Sequence, residues 1–268
     1  MPDTAELLAA YDALYRPAEV ETFPPGTRFE VDDPVLRVFS GHRGYLCTPP
    51  DLRRDGAEAD EFIARQRDAF AARGEAVEWK LRGHDRPADL PERLQRAGFR
   101  PEAQETVMVG LVEELAALPV ELPEGVGVRQ VRDPADMERI AAMETAVWGE
   151  DWGWLARELT AHCAVEPSRV SVFVAETLGG DEPEVVSAAW LVEMPATGFA
   201  GLCGGSTLPA WRRRGLYRSL VAVRARLAAT RGVRWLQVDA SDESRPLLEG
   251  FGMVALTTTT PYVWSPQG

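Results

Sequence analysis

The sequence has 268 residues, 45% hydrophobic and 26% charged, with a formal net charge of −13. That length exceeds one ordinary compact domain and fits two of about 130 residues each. The negative charge repels phosphate backbones and argues against a nucleic-acid partner, and no apolar run approaches the roughly 20 residues that span a bilayer. The start, Met1-Pro2-Asp3-Thr4-Ala5-Glu6, is acidic, unlike a signal peptide, so a cytoplasmic location is the expectation. A single lysine (Lys80), no asparagine, and abundant Ala, Arg, Gly and Pro suggest a GC-rich bacterial gene. Cys47, Cys163 and Cys203 stand far apart and read as free thiols. His42, His84 and His162 lack ligand spacing, so no metal site is expected.

In chain order, residues 35–39 read as a strand and 58–73 as a helix stopped at Gly74. A strand over 76–81, a helix over 90–97 and a strand over 105–109 follow. The Pro-bearing stretch 116–124 reads as a linker. Residues 137–143 and 154–163 are predicted helices, joined by an acidic, aromatic loop over 148–154. Three strands, 170–176, 185–194 and 198–208, form an antiparallel meander, the first two joined by a turn at Gly179-Gly180-Asp181. A helix over 215–231 carries Leu216, Leu220, Val223 and Leu227 on one apolar stripe, with Arg218, Arg224 and Arg226 off it. A strand over 233–238, a short helix over 245–250 and a closing strand over 257–264 complete the chain.

The two halves echo each other. Arg73-Gly74 before Trp79 parallels Arg231-Gly232 before Trp235, and Gly98-Phe99 parallels Gly252-Met253, at an offset of about 155 residues. The reading is therefore two related α/β (α+β) domains, 1–118 and 119–268. Each has a mixed, mostly antiparallel sheet flanked by helices.

The chemistry concentrates where a strand ends and a helix begins: Ser206, Thr207, Leu208, then Arg212, Arg213, Arg214, Gly215, Leu216, Tyr217 and Arg218. The first turn of a helix has free N–H groups and the positive end of the macrodipole, which suit an anion. Gly215 removes a side chain from the approach, and the arginines add forked donors. A patch this small fits one polyphosphate ligand better than a duplex.

This segment resembles the GNAT superfamily of acyl-CoA-dependent N-acyltransferases, whose signature is [QR]-x-x-G-x-[GA]. Arg212 and Gly215 match it, and Tyr217 stands where Gly or Ala is usual. The resemblance implies that backbone amides from 213 to 218 hold the pyrophosphate of acetyl-CoA. It also implies that 206–208 pair with the pantetheine arm, and that the break before Pro209 corresponds to the family's splayed strands. The tyrosine that many members place four residues before the Gly ending the last helix is Leu248 here. The proton donor to the leaving thiolate is then Tyr217 or Tyr262, or the thiolate leaves unassisted. Glu193 is the first choice as general base, with Glu150 and Asp151 as alternatives, and Trp148, Glu150, Asp151 and Trp152 are candidates for an acceptor pocket. The implied activity is acetyl transfer to a primary amine of a small-molecule or peptide acceptor in a ternary complex, with a homodimer left open. A non-catalytic acyl-CoA-binding or sensing module is the alternative. The first half carries only Arg53-Arg54-Asp55-Gly56 before its helix and reads as a degenerate copy.

Overall fold

The computed structural model describes residues 3–24, 26–41, 43–179 and 183–266. Met1, Pro2, His42, and Gly180 and Asp181 of the expected turn lie outside them. The chain begins with α1 (Thr4–Ala10), a π turn (Tyr11–Tyr15), α2 (Arg16–Ala18) and a 3-10 turn (Glu19–Thr22). Then come β1 (Arg28–Asp32), β2 (Val35–Phe39), β3 (Arg43–Cys47), α3 (Gly56–Ala71), β4 (Ala76–Arg82), α4 (Leu90–Arg96), β5 (Arg100–Pro101), β6 (Glu105–Leu111) and α5 (Val112–Ala116). The second half runs β7 (Val126–Val131), α6 (Pro134–Trp148), α7 (Gly153–Cys163), β8 (Val170–Thr177), β9 (Val185–Met194) and β10 (Phe199–Thr207). It ends with α8 (Leu216–Thr230), β11 (Trp235–Ala240), α9 (Arg245–Gly250) and β12 (Val254–Trp264).

Contacts group the chain into two compact units. The first holds Met1–Met108, Asp239–Glu249 and Val254–Gly268, and the second holds Val109–Val238 and Gly250–Met253. The expected division after residue 118 follows sequence order, whereas each compact unit takes in a segment from beyond that point. The strand expected to close the second domain, β12, instead pairs antiparallel with β4 of the first unit, Tyr262 opposite Trp79.

Within the first unit β1, β2 and β3 form an antiparallel run, and β3 pairs parallel with β4. The alternation along β4 explains its placement. Val77, Trp79 and Leu81 enter a core with Phe62, Phe70, Phe99 and Tyr262, while Glu78, Lys80 and Arg82 share the other face. Trp79 meets Phe99 edge-on, with ring centroids 6.3 Å apart. The N-terminal helical segment, absent from the sequence-based expectations, is tied down by buried charge. Arg82, 1% exposed, is clamped by Glu19 at 2.6 and 2.8 Å and reaches the Tyr11 hydroxyl at 3.2 Å. Arg16, 3% exposed, donates to both Asp85 oxygens and to the Thr48 carbonyl. A buried guanidinium left without such partners would cost several kcal/mol (about 3–5), so these pairs oblige the segment to dock.

In the second unit the order is β11-β10-β9-β8-β7. The expected meander of β8, β9 and β10 is present and antiparallel, and β7, which the sequence did not reveal, pairs with β8. Helix α6 begins where Asp133 accepts the Ala135 N–H at 2.9 Å, and it ends at Gly149, whose N–H reaches the Thr145 carbonyl. It runs as far as Trp148, so the loop expected over 148–154 shrinks to 149–152. The linker lies along α8: Arg226 donates to the carbonyls of Ala116 and Leu118, and Glu121 exchanges backbone bonds with the Ser219 hydroxyl.

Asp32 gives the first unit a defined acid sensitivity. It accepts from Arg65, then Gln66 and Arg37, and these bonds hold its carboxyl down at about 2. A carboxyl depressed on folding stabilises the native state above its unfolded value near 4, and that contribution fades as pH falls toward 2. Urea unfolding across pH 2–7 should therefore show a loss of stability below pH 4 that Asp32→Asn flattens.

Candidate functional site

Strand β10 stays paired with β9 from Phe199 opposite Met194 to Thr207 opposite Ser187. Its parallel pairing with β11 is much shorter, covering only Phe199, Ala200 and Gly201 against Trp235, Leu236 and Gln237. The two neighbours part after Gly201, earlier than the break expected before Pro209. A β-bulge lies between Gly204 and Ser206, with φ of +70° at Gly204 and +80° at Gly205. Glycine is needed there on two counts. The backbone is left-handed, and a Cβ on Gly204 would come 2.4 Å from the Trp190 indole. A Cβ on Gly205 would come 3.0 Å from the Tyr217 ring.

The bulge rests on a buried cation. Arg224, 1% exposed, donates from Nε to the Leu220 carbonyl at 3.0 Å and from Nη1 to the carbonyls of Trp190 and Cys203, each at 3.1 Å. Trp190 and Cys203 face each other directly beside the bulge. Among the described residues no carboxylate pairs with this guanidinium, and burial lowers its pKa to about 10, opposed by Tyr217 and then Cys203. The expectation that Arg224 lies off the apolar stripe is corrected. It follows Leu216 and Leu220 at intervals of four, so it is on the stripe, where the bulge supplies carbonyls for it.

After Thr207 the chain makes one 3-10 turn, Pro209–Trp211, and reaches α8 through Arg213 (φ 61°) and Gly215 (φ 82°). Gly215 is the N-cap and offers no side-chain acceptor. The first helical donor is Ser219, bonded to the Gly215 carbonyl at 3.0 Å. Among the described residues the N–H groups from 213 to 218 meet no protein acceptor, which leaves a concave row of donors at a helix start. A Cβ on Gly215 would sit 2.9 Å from the Glu121 carbonyl, so linker packing demands glycine as much as any ligand does.

The side chains divide the work. Arg212, Arg213 and Arg214 are exposed, Arg212 Nε donating to the Thr207 carbonyl at 3.2 Å and Arg214 stacking over Trp211. Arg218 instead pairs with Glu121, so only its backbone is available to an anion. Leu216 is buried with Leu122, Val126, Ala175 and Val186, and it anchors the helix start beside Leu208. Ser206 and Thr207 are held from β9, where the Ser187 hydroxyl donates to the Ser206 carbonyl at 2.6 Å and meets Thr207 Oγ1 at 2.8 Å. Tyr217 lies half-buried between Gly205 and Phe251, its ring centroid 6.5 Å from that of Phe251, and burial raises its pKa.

Glu193 does not belong to this constellation. It faces Ala200 at the other end of β9, about 17 Å along the strand from the level of Ser206, and forms an ion pair with Arg231. It is withdrawn as a base. Tyr262 is buried in the core of the first unit, and Leu248, also buried, has no ionisable group to take the place of a tyrosine. Glu150 and Asp151 are exposed, and Asp151 accepts the Gly153 N–H at the start of α7. Trp148, 59% exposed, stacks near Trp152 at 6.4 Å, and Trp152 lies 5.2 Å from Trp154. These tryptophans do come together. The first unit's Arg53–Gly56 turn repeats the left-handed geometry (φ 53° and 51°), but the Asp51 carboxylate takes the Arg53 N–H at 2.7 Å. The adjoining cavity of about 350 Å³ is lined by Asp33, Asp51 and Glu58 together with Arg53 and Arg54, so its acids outnumber its arginines.

No family model matches this sequence, and no curated protein matches it. Solved structures do. A GCN5-related N-acetyltransferase from Kribbella flavida superposes with a TM-score of 0.70 at 19% identity, over 95% of each chain. A Drosophila protein gives 0.67 at 17%, covering 99% of this chain and 96% of its own. A tandem GNAT protein from the clavulanic acid biosynthesis pathway gives 0.62 at 11%, covering 93% and 86%. The chain thus has the GNAT fold. Likeness at these identities speaks for the fold, and function rests on the site.

Replacing Arg224 by Met keeps the apolar stripe but leaves the carbonyls of Trp190 and Cys203 without their donor. Urea unfolding should show a loss of about 2–4 kcal/mol. Gly204→Ala should cost about 1–3 kcal/mol through its left-handed backbone, with the Trp190 clash added.

Proposed function

We propose that the chain transfers an acetyl group from acetyl-CoA to a primary amine of a small-molecule or peptide acceptor. The observation that carries this reading is the parting of β10 from β11 directly before an uncapped helix start flanked by three exposed arginines. A free strand edge suits the amides of a pantetheine arm, and the donor row from 213 to 218 suits a pyrophosphate. Metal-ligand clusters are absent among the described residues, and no described helix is long and apolar enough to cross a membrane.

The chemistry follows from position more than from covalent catalysis. Residues 206–208 hold the thioester against the diverging strands, and the acceptor nitrogen attacks the carbonyl carbon within a ternary complex. Tyr217 keeps its proton at neutral pH because burial raises its pKa, so it is available to protonate the departing thiolate. The buried positive charge of Arg224, one helical turn beyond Leu220, favours negative charge arriving at the same place.

Calorimetry with acetyl-CoA should show binding that weakens with added salt. The pair Arg212→Glu and Arg213→Glu should lower affinity about 10- to 100-fold through lost charge-assisted bonds. Retention of full affinity would overturn the cradle. With a panel of primary amines, steady-state lines should intersect, whereas parallel lines would indicate a covalent acetyl-enzyme. Tyr217→Phe preserves the packing on Phe251 and should reduce kcat about 100-fold with little change in acetyl-CoA affinity.

A further inference from the structure

Withdrawing Glu193 leaves the reaction without a proton acceptor, and one carboxylate in the second unit has the right surroundings. Glu144 lies in the last turn and a half of α6, 1% exposed, on the face that also buries Met137, Ile140 and Ala141. A carboxylate in such a place is ordinarily paired with a cation. Glu144 has none. Its Oε2 accepts the Trp148 indole N–H at 2.8 Å, and its Oε1 is sealed from solvent without a hydrogen-bond partner. The side chain next to it is Ser206, on the stretch of β10 that has already left β11. Ser206 is itself buried, at 7% exposure. A buried carboxylate with no cation, whose neighbouring donors are only the Trp148 indole and the Ser206 hydroxyl beside the proposed thioester position, is costly unless something uses it.

We infer that Glu144 is the proton acceptor for the attacking amine, reached through the Ser206 hydroxyl, and that the acceptor is a primary ammonium seated against Trp148 and Trp152. This rests on the acyl-transfer reading above. The ammonium gives one proton to Ser206 Oγ as the hydroxyl proton passes to Glu144 Oε1, which leaves a neutral amine, an unchanged serine and a protonated carboxyl. The nitrogen then forms its bond to the acyl carbon as the carbon–sulfur bond breaks. Tyr217 gives its proton to the departing sulfur and takes up the second nitrogen proton in its place, and Glu144 returns its proton to solvent between turnovers. The products are an amide, free CoA thiol and one released proton. The stacked tryptophans supply a wall for the cationic head and apolar body of such a substrate.

Electrostatics around Glu144 fit this use. Burial raises its pKa, while Ser206 and Trp148 oppose the rise. Of the elements packed on α6, helix α7 brings Arg157, Glu158 and His162, β9 brings Glu193 in its pair with Arg231, and β10 brings Cys203. None of their charges contributes to the shift. A base whose pKa rises toward neutrality is a stronger proton acceptor at neutral pH.

The test measures acetyl-CoA affinity, Tm and the pH dependence of kcat/KM for wild type, Glu144→Gln, Glu144→Asp and Ser206→Ala, using a panel of primary amines that includes arylalkylamines. In E144Q the Tm should hold or rise at neutral pH, since burial disfavours the ionised carboxyl, and acetyl-CoA affinity should stay within twofold. Turnover should fall about 100-fold or more, and the acidic limb of the pH profile should vanish. E144D should recover part of the rate together with an acidic limb, and S206A should lose rate without losing acetyl-CoA affinity. Turnover in E144Q within threefold of wild type, or an unchanged acidic limb, overturns this role alone. Failure of the wild type to acetylate any amine overturns the acyl-transfer reading and this role with it.

Discussion

Strand β10 can serve two neighbours for only three residues, and the candidate site depends on what happens next. After Gly201 it keeps β9 and gives up β11. A strand leaving its partner inside a folded domain exposes backbone groups that need new partners. The second unit meets part of that need with Arg224 of α8, which reaches the Cys203 carbonyl just before the bulge and the Trp190 carbonyl opposite it. The same helix opens at Gly215 with its first donors unmet. One helix therefore braces the β9–β10 pair beside the bulge from its middle and offers unmet N–H groups at its start. Its face toward the linker fixes Gly215 through Glu121. The bulge and the proposed cofactor seat thus rest on the same helix.

The first unit shows what happens when the same geometry is put to structural use. Its turn before α3 has the left-handed residues Arg53 and Gly56, yet Asp51 supplies the anion from within the chain. Arg54 is spent on the carbonyls of Leu52 and Asp33. Buried charge is invested instead in docking the N-terminal segment, through Arg82 with Glu19 and Arg16 with Asp85. This half keeps the fold and holds its own acidic ligand where the second half offers free donors.

Much of the architecture was legible because it is local. The meander from Val170 to Thr207 announces itself by β-branched residues and turns, and α8 by its stripe and its glycine stops. The R-x-x-G spacing pointed to the helix start proposed as the anion site, because helix starts carry their chemistry in adjacent residues. Non-local features were hidden. Nothing near β12 says that Tyr262 will face Trp79, since strand pairing is decided by burial elsewhere. Glu193 looked catalytic because it lies near the end of a strand, but the sequence does not say which end faces the site. Arg224 and Glu144 were concealed by their own polarity. Each occupies an apolar position of its helix, at the spacing of Leu216 and Leu220 or of Met137, Ile140 and Ala141. A charged residue on such a stripe was the available signal for both.

The most direct measurement is a crystal structure of the full chain with CoA. The pyrophosphate should accept from the backbone N–H groups between 213 and 218, and the pantetheine should run along the unpaired stretch of β10 after Gly201, bringing the sulfur near Tyr217. CoA bound at the Arg53–Gly56 turn, or with its pyrophosphate on side chains away from the start of α8, would contradict the assignment.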